Sequence, residues 1–564
     1  MESGFGAKTG QNGKSQVRHT AHLGKVIAYW RRDMACMSQS LFSVSLYDTL
    51  GPAATEYIIN HASLACVVTS LPHIPMLLKL KPQLPTLKII ICLDDLDAGE
   101  RQGYSKFSLL AAFADGLDVS VYSMDQVEKL GASLAGANYN PPKPSDAITI
   151  NYTSGTTGPP KGVVLTHANA VAAASCSLIT VSQGPSDVFC SYLPLAHIYA
   201  RLTEQGALWA GAAIGYFHGD ILTLVDDFKL LRPTAFNSVP RLYNRFGGAI
   251  RAATTGQSGV TGAVARHIVS TKLAALKNPD DPSATNKHAI YDRVWGRKVA
   301  SALGLERATT MVSGSAPLDP SLHQYLRVIF GNHFIQGFGM TETYAVGLGQ
   351  LVGDLSAGNC GAVTPAMEVC LASVPDMDYL ITDSPCPRGE LLLRGHTLFA
   401  GYYRSEDETA KAMLPDGWFR TGDICQVDAR GRFAIIDRVK NVLKLAQGEY
   451  ISPERIENVY LSHLNYLGQA YVHGDSVQTF LVAVFGVAPD LFAPFASKVL
   501  GREIAATDLQ AVRAACGEVK VRRRVLEEVE KVGRRNKFAG YERVRNCLLL
   551  LEPFTVENEL LTPT

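Results

Sequence analysis

Hydrophobic and polar positions along the first 400 residues predict strands that alternate with helices. Apolar runs typical of buried strands occur at residues 87–92, 187–192 and 389–394, and the segments between them have the spacing of amphipathic helices. Helices that alternate with strands cover the faces of a parallel sheet. The pattern therefore predicts an α/β fold with layered, parallel sheets.

The pattern changes towards the C-terminus. A turn at residues 428–431 and a short strand at 433–436 precede a predicted boundary near Asp437. Further on, residues 519–535 place valines at helical spacing with arginines crowded on the flanks, which predicts an amphipathic helix. A solvated surface is the simplest interpretation of its charged side, and contact with an anionic ligand or a membrane surface is the alternative.

Composition excludes several classes of protein. Lys and Arg number 53 against 52 Asp and Glu, so no overall field attracts nucleic acid. The 11 cysteines include no C-x-x-C pair, which argues against a disulfide framework or a zinc site. No apolar run approaches the roughly 20 residues that span a bilayer, and residues 1–24 lack the apolar core of a signal peptide. These features predict a cytoplasmic protein.

Residues 152–162 carry the strongest chemical signal in the chain. Glycines and hydroxyl side chains surround a single lysine, directly after an alternating apolar run at residues 147–150. Glycines let the backbone approach a polyphosphate, hydroxyl groups donate hydrogen bonds to it, and Lys161 adds a positive charge. The segment is not a Walker A loop, because Gly162 follows the lysine where that motif has Ser or Thr. It predicts a phosphate-binding loop, and a flexible surface loop is the alternative.

Further motifs follow this loop in a fixed order. They are Q-G-F-G-M-T-E at 336–342, D-G-W-F-R-T-G-D at 416–423, D-R at 437–438 and G-E-Y-I-S-P-E at 448–454. Together with the loop they resemble the adenylate-forming superfamily of acyl-CoA synthetases, luciferases and adenylation domains. The resemblance to eukaryotic long-chain acyl-CoA synthetases in particular rests on three more stretches, at 193–198, 444–450 and 553–558.

The resemblance implies an architecture and a reaction. A large adenylate-forming N-terminal domain of layered sheets and helices would precede a smaller, mobile α+β C-terminal domain. Residues 1–34 would be an unmatched leader, 35–436 the AMP-binding adenylation domain, and 437–564 the C-terminal domain. Enzymes of this kind convert a fatty acid and ATP to acyl-AMP and pyrophosphate, and CoA then displaces AMP. The resemblance thus implies a fatty acid, ATP, Mg²⁺ and CoA as ligands.

The matched motifs imply a phosphate-binding half of the site. The β- and γ-phosphates of ATP would be held by Thr153, Ser154, Gly155, Thr156, Thr157, Gly158 and Lys161. Thr341 would contact the α-phosphate, and Glu342 would ligate Mg²⁺, which prefers hard oxygen ligands. Lys161, Thr341, Glu342 and Arg438 are therefore the expected catalytic residues, because cations and donors must be held ready where negative charge gathers.

The resemblance also implies a nucleoside-binding half. Phe338, beside Gly339, would stack on adenine. Asp423 would accept hydrogen bonds from the ribose hydroxyls, and Arg438 would reach the ribose or a phosphate. The wall opposite Phe338 would consist of Gly314, Ser315, Ala316 and Pro317.

Three further positions receive roles from the resemblance. Asp437 would be the hinge about which the C-terminal domain rotates between the two half-reactions. Lys444 would bind a cofactor, and its surrounding stretch favours CoA as the acyl acceptor. His197 would be an aromatic gate to the acyl site. The stretch 207–215 is rich in alanine and glycine, so it either lines an acyl tunnel or allows close helix packing.

The residue types alone leave simpler interpretations open. Phe338 could be a core aromatic side chain, and His197 an ordinary buried histidine. Asp423 could cap a turn, and Glu342 could be a solvated acid at the start of a helix.

The chain departs from the family at both ends. Family members continue beyond the position of Thr564 into a basic segment with a lysine that bridges the carboxylate and the α-phosphate. They also carry a longer stretch before residue 35. We expect adenylation to be slowed roughly 10²–10³-fold unless Lys440 or Lys444 substitutes, since one preorganised donor is worth about that much.

Two alternatives to a fatty acid–CoA ligase remain from the sequence. One is a fatty acyl-AMP ligase that loads the thiol of an acyl carrier protein. The other is a catalytically impaired protein that binds a nucleotide or acyl-CoA. A cytoplasmic location, with peripheral attachment to an endoplasmic reticulum, peroxisome or lipid-droplet membrane left open, agrees with all three hypotheses.

Overall fold

The computed structural model describes residues 33–46, 51–96, 106–134, 136, 138–153, 159–181, 183–439, 443–444, 450–475, 478–551 and 553–554. Several positions from the sequence analysis lie outside the described residues, namely 1–32, Ser154, Gly155, Thr156, Thr157, Gly158, Lys440 and 555–564. Only the backbone of Lys444 is described.

The strands are short and are numbered here in chain order. They are β1 Ser43–Ser45, β2 Cys66–Thr69, β3 Ile89–Cys92, β4 Ser120–Ser123, β5 Ala147–Thr153, β6 Lys161–Thr166, β7 Val188–Ser191, β8 Ala213–Tyr216, β9 Ala235–Ser238, β10 Thr310–Ser313, β11 His333–Phe338, β12 Leu348–Gly349, β13 Ala362–Val363, β14 Met367–Ala372, β15 Arg388–Gly395, β16 Gly401–Tyr402, β17 Phe419–Val427, β18 Phe433–Arg438, β19 Leu443–Lys444, β20 Tyr450–Ile451, β21 Leu467–His473, β22 Leu481–Val487 and β23 Val544–Leu551.

The α-helices are numbered in the same way. They are α1 Pro52–His61, α2 Ile74–Leu80, α3 Lys106–Asp115, α4 Met124–Ser133, α5 His167–Thr180, α6 Ile198–Ala210, α7 Leu224–Leu231, α8 Pro240–Ala253, α9 Gly259–Ala274, α10 Arg297–Ala302, α11 Pro320–Phe330, α12 Glu406–Ala412, α13 Pro453–His463, α14 Pro489–Leu500, α15 Leu509–Gly517 and α16 Val519–Arg535.

A seven-stranded sheet in the order β13-β12-β11-β10-β9-β7-β8 forms the centre of the larger part of the chain. Its strands from β11 to β8 are parallel, as the alternation of strands and helices predicted, and β12 and β13 add an antiparallel edge. Because side chains alternate between the faces of a strand, Phe236, Met311 and Phe334 all point into one core. That core includes Tyr243 of α8 and Leu326 of α11.

The chain also forms two smaller sheets, β1-β5-β6-β16 and β2-β3-β4. The sheet β1-β5-β6-β16 contains the antiparallel hairpin of β5 and β6, which brackets the predicted phosphate loop. The parallel sheet β2-β3-β4 buries its own apolar cluster, which includes Ile90 and Val121. The run at residues 87–92 is confirmed as a strand of a parallel sheet.

The prediction of parallel sheets is wrong for the run at residues 389–394. This run lies in β15, and the sheet β14-β15-β17-β18 is antiparallel throughout. Only residues 428–432 connect β17 to β18, whereas a parallel crossover needs a dozen or more residues. This short connection accounts for the antiparallel pairing of β17 with β18, whereas β15 is joined to its partners β14 and β17 by the longer segments 373–387 and 396–418.

Residues 451–549 contain a separate hydrophobic core. The strands β21, β22 and β23 form one sheet, against which α13, α14, α15 and α16 pack. Helix α16 confirms the amphipathic helix predicted over 519–535, since Val525, Val529 and Val532 are buried and the neighbouring Arg523 is exposed.

A fully buried ion pair fixes α6 against the helical segment 33–38. The guanidinium of Arg201 donates a hydrogen bond of 2.8 Å to the carboxylate of Asp33, and both side chains are 1% exposed. Arg201 also donates to the hydroxyl of Ser43 in β1. The pair ties three elements together next to the cavities described below.

We predict that Asp33→Asn destabilises the protein by about 3–5 kcal/mol, because it leaves the buried charge of Arg201 without its counter-ion. Urea denaturation measures the change. Asp125→Asn is the matched control, since Asp125 forms an exposed ion pair with Lys129, and its loss should change stability by less than about 1 kcal/mol. Equal effects of the two substitutions would contradict the prediction.

Candidate active site

Two adjoining cavities meet at the C-terminal end of β11. The first, called here the nucleotide cavity, is lined by residues 315–320, 336–340, 435–438 and several others that include Asp423 and Glu454. The second, called the acyl cavity, lies between the central sheet and helices α5 and α6. Residues 336–340 and Ser315 line both cavities, so a ligand in one comes close to a ligand in the other.

The wall shared by the cavities contains Phe338 and Gly339. A Cβ atom at Gly339 would lie 2.2 Å from the carbonyl oxygen of Ala345, so only glycine fits there. Phe338 ends β11, is half-buried and packs against the core of the domain from its cavity-facing position. Its place on the wall of both cavities distinguishes it from an ordinary core aromatic.

Residues Gly314, Ser315, Ala316 and Pro317 continue from the end of β10. Ser315 has a left-handed backbone with φ of 76°, which turns the chain across the mouth of the cavities. The predicted wall is therefore at the site, with Gly314 on the acyl cavity, Ala316 and Pro317 on the nucleotide cavity, and Ser315 on both.

Asp423 is a buried carboxylate at the wall of the nucleotide cavity. Its side chain is 3% exposed, and Nε of Arg438 donates a hydrogen bond of 2.8 Å to Oδ1. Burial raises the pKa of Asp423, although the charge and the hydrogen bond of Arg438 act to lower it. Because Asp423 lies within β17 and pairs with Arg438 of β18, the turn-cap interpretation of this residue is wrong.

Arg438 and Asp437 connect this cavity to the following part of the chain. The second contact of Arg438 is with Glu454, at 3.6 Å, near the start of α13. The hydroxyl of Tyr379 donates a hydrogen bond of 2.9 Å to Oδ2 of Asp437, and Arg438 N–H donates to Oδ1 at 2.8 Å. Both carboxylate oxygens of the predicted hinge residue are thus held.

Lys161, at the end of the phosphate loop, is paired with an acid. It begins β6 opposite Thr153 and forms an ion pair with Glu408 of α12. The same glutamate binds Lys411, and hydrogen bonds from the two lysines lower the pKa of Glu408 to about 2. The ammonium group of Lys161 also lies 5.1 Å from the ring centre of Tyr402.

Thr341 and Glu342 lie in a single 3₁₀ turn directly after the shared wall. Glu342 is 7% exposed, so the interpretation of a solvated helix-start acid is wrong. The hydroxyl of Tyr402 donates a hydrogen bond of 2.9 Å to its Oε1. Burial raises the pKa of Glu342. Lys161, Tyr402 and Glu342 therefore form one connected group beside the cavities.

His197 lines the acyl cavity and immediately precedes α6. Burial lowers its pKa, which favours the neutral imidazole. Of the small-residue stretch 207–215, Ala207 is in the core and Gly215 packs against Leu231, where a Cβ atom would come within 2.4 Å. Leu208 and Trp209 are exposed, and no residue of the stretch lines the acyl cavity, so the acyl-tunnel interpretation is wrong and close packing applies only to part of the stretch.

A third, small cavity adjoins the acyl cavity, and Glu204 of α6 is among the residues that line it. Asn237 and Thr203 line both of these cavities. Glu204 is 3% exposed, accepts a hydrogen bond from the hydroxyl of Ser191, and has a second one with Tyr216. Burial raises the pKa of Glu204 to about 7, against the effect of these bonds.

Sequence reasoning missed Tyr402, Glu408, Asn237 and Glu204. Tyr402 meets Glu342 across 60 positions of the chain, and Glu408 meets Lys161 across 247. Such pairs have no local sequence signal, because the strand pairing of β6 with β16 brings them together.

The family model described as AMP-binding enzyme matches residues 24–403, more than half of the chain. The protein belongs to the AMP-binding enzyme family. Among curated members, it is 65% identical to acyl-CoA ligase 891, peroxisomal, of Penicillium roqueforti over 533 residues, which are 94% of this chain and 75% of that protein. It is 42% identical to long chain acyl-CoA synthetase 6, peroxisomal, of Arabidopsis thaliana, with 94% of this chain and 72% of the relative covered.

A human relative agrees with this membership, and a solved structure shows the same fold. The chain is 36% identical to the human long-chain-fatty-acid–CoA ligase 1, with 94% of this chain and 73% of that protein covered. The adenylation domain of a carboxylic acid reductase from Segniliparus rugosus superposes with a TM-score of 0.72 at 24% identity, covering 95% of this chain and 77% of the other. This second comparison shows the adenylate-forming fold, as the motifs predicted.

We predict that the free energy of unfolding of the wild-type AMP-binding enzyme falls, relative to that of the Glu204→Gln variant, as the pH rises from about 5 to about 8. The folded-state pKa of Glu204, about 7, lies above its unfolded value, so its contribution is complete below the unfolded pKa and disappears as the pH passes through 7. The relative change should be on the order of 2–3 kcal/mol.

Urea denaturation at the two pH values measures this difference. Glu368→Gln is the control, because Glu368 is exposed and pairs with Arg394 at the surface, and its offset from the wild type should stay nearly constant. If the offset of Glu204→Gln also stays constant, Glu204 is charged in the folded protein and the prediction is wrong.

Proposed function

We propose that this protein is an ATP-dependent long-chain fatty acid–CoA ligase. In the first step, an oxygen of the fatty acid carboxylate bonds to the α-phosphorus of ATP, and the bond to the bridging oxygen breaks to release pyrophosphate. In the second step, the thiolate of CoA bonds to the acyl carbon of acyl-AMP, and AMP leaves with the electron pair of the broken bond.

The observation that carries this proposal is the wall shared by the nucleotide and acyl cavities. A carboxylate at the inner end of the acyl cavity, near Thr341, comes close to the α-phosphate of a nucleotide whose base lies beside Phe338. Holding two reactants in this way removes much of the entropic barrier to a bimolecular reaction. The names of the curated relatives, acyl-CoA ligase and long-chain acyl-CoA synthetase, support the same chemistry.

On the phosphate side, Lys161 changes its partner when ATP binds. Its ammonium group leaves Glu408 for the β- and γ-phosphates, while Thr153 and the loop that follows donate hydrogen bonds. Glu408 keeps Lys411 as a partner, so it is not left without a counter-ion. Thr341 contacts the α-phosphate, where negative charge gathers during the attack.

The residues present fit a magnesium ion held mainly by substrate. Mg²⁺ is commonly bound by one or two carboxylates together with the phosphates of a nucleotide. Glu342 supplies one buried carboxylate, oriented by Tyr402, and the described residues contain no cluster of three or more metal-ligating side chains. Glu342 would hold the ion, and the ion would neutralise charge on the phosphates.

On the nucleoside side, Asp423 binds the ribose hydroxyls and Arg438 moves to the ribose or a phosphate. We assign residues 35–436 to the adenylation domain and 437–564 to the C-terminal domain, with Asp437 as the hinge. Release of Arg438 from Asp423 would then loosen its bridge to Glu454 and couple nucleotide binding to rotation of the C-terminal domain.

The location of the protein follows as a separate proposal. No helix within the described ranges is both long and apolar enough to cross a bilayer. Two relatives carry the word peroxisomal in their names. We therefore propose a cytoplasmic protein attached peripherally to an organelle membrane, with the peroxisome as the first organelle to examine.

We predict that Lys161→Gln lowers kcat/KM for ATP about 10²-fold in an assay of acyl-CoA formation from a long-chain fatty acid, ATP, Mg²⁺ and CoA. The substitution removes a preorganised cation from the phosphates. Lys411→Ala is the matched control, because Lys411 binds the same glutamate but is 72% exposed and lies outside the cavities.

The control should leave kcat/KM within about twofold of the wild type, as expected for an exposed ion pair. Equal losses of kcat/KM in both variants would indicate that the ion pairs of Glu408 only stabilise the structure. This result would contradict the proposed movement of Lys161 from Glu408 to the phosphates. If AMP is released in an acid-dependent way with a carrier-protein thiol but not with CoA, the protein is an acyl-AMP ligase and the CoA ligase hypothesis is wrong. If the folded wild-type protein consumes no ATP with any acid, the hypothesis that it is a ligase is wrong.

A further inference from the structure

A row of neighbouring side chains crosses the central sheet beneath α6. In register, Asn237 pairs with Val312 and Val312 pairs with Ile335, so the three lie side by side on one face. All three line the acyl cavity. The row begins apolar at Ile335 and Val312, next to the shared wall, and becomes polar at Asn237.

The row continues as a polar path beyond Asn237. The pairing of Phe189 with Ala235 puts Ser191 of β7 on the same face as Asn237. Ser191 in turn pairs with Tyr216 of β8, and both bond to Glu204. Two strand spacings separate Ile335 from Asn237, so an acyl chain that follows the row meets hydrogen-bonding groups about 10 Å from the shared wall, where an acid of medium length ends.

Asn237 and Thr203 form the partition between the acyl cavity and the small cavity. Nδ2 of Asn237 donates a hydrogen bond of 3.2 Å to Oγ1 of Thr203, whose hydroxyl donates at 2.9 Å to the carbonyl oxygen of Tyr199. Within the described residues, this is the single hydrogen bond recorded for the Asn237 side chain. A carboxamide has two N–H donors and one acceptor oxygen, so one donor and the oxygen remain for a ligand.

We propose that Asn237 and Thr203 recognise the far end of the acyl group, and that the protein prefers acids with a neutral hydroxyl or carbonyl oxygen there. This inference rests on the proposed ligase function and narrows its substrate class. A terminal methyl group at this partition would displace water from Asn237 and offer no hydrogen bond. A hydroxyl or carbonyl oxygen would bond to the free donor or acceptor of the carboxamide.

The charges around the partition select a neutral oxygen rather than a second carboxylate. Neither the acyl cavity nor the small cavity is lined by a lysine or arginine among the described residues. Glu204 is one of the residues that line the small cavity. A second carboxylate buried here would be repelled by Glu204, and Arg201, whose charge acts on Glu204, is already paired with Asp33, so burial of the added charge is unfavourable.

The test compares acids of equal length that differ only at the far end. For a series of medium and long chains, kcat/KM for acyl-CoA formation is measured with the unsubstituted, terminal hydroxyl, terminal aldehyde or ketone, and terminal carboxylate forms. At the length that reaches Asn237, we expect the hydroxyl or carbonyl form to exceed the unsubstituted acid about tenfold, the effect of one hydrogen bond in a buried site. The carboxylate form should be the poorest substrate.

Asn237→Leu, which keeps the size of the side chain, should abolish this preference and favour the unsubstituted acid. Thr203→Val serves as a second variant, since it removes the hydroxyl that holds the carboxamide and keeps the shape of the side chain. Because the readout is a ratio of two acids within one enzyme preparation, a loss of folded protein cancels. Ile335→Val is the matched control on the same row and should change kcat/KM for both acids by the same factor.

The outcomes separate this inference from the proposed function. Activation of unsubstituted acids with no preference for an oxygenated end at any length, or a preference unchanged by Asn237→Leu, overturns the inference and leaves the ligase standing. Failure of every acid in the series refutes the ligase itself. A preference for the oxygenated form that disappears in Asn237→Leu but not in Ile335→Val supports the inference.

Discussion

The buried pairing of Asp423 with Arg438 is the interaction on which the candidate site depends. A carboxylate at 3% exposure needs a partner, and the ladder of β17 with β18 supplies one at 2.8 Å. Because Arg438 also reaches Glu454, the same guanidinium connects the wall of the nucleotide cavity to the chain that follows β18. A ligand that satisfies Asp423 in place of Arg438 therefore changes contacts on both sides of Asp437.

On the phosphate side, too, each charged group is paired with a neighbouring side chain. Lys161 forms an ion pair with Glu408, and Glu342 accepts a hydrogen bond from the hydroxyl of Tyr402, so each charged group has a partner before a nucleotide binds. Each partner is also exchangeable, since Glu408 retains Lys411 after Lys161 moves. Preorganised groups of this kind stabilise developing charge without the reorganisation that water would require. The acyl cavity adds a contrasting surface, apolar at Val312 and polar at Asn237.

The sequence was sufficient for features with local signals. The valine spacing in 519–535 predicted α16, and the ordered motifs predicted residues that line the two adjoining cavities. It was insufficient where long-range pairing decides the outcome. The antiparallel pairing of β15 with β14 and β17 joins strands separated by long segments of chain, and the contacts of Tyr402 and Glu408 depend on the pairing of β16 with β6. Helical spacing in α6 likewise gave no sign that Thr203 meets Asn237.

The central claim is that a carboxylate and ATP react here to form an acyl adenylate. Acid-dependent exchange of labelled pyrophosphate into ATP, measured without CoA, tests this claim most directly, because exchange requires reversible formation of acyl-AMP. The account predicts exchange only when acid, ATP and Mg²⁺ are present together. A folded protein that binds ATP and acid but shows no exchange above the acid-free background would contradict it.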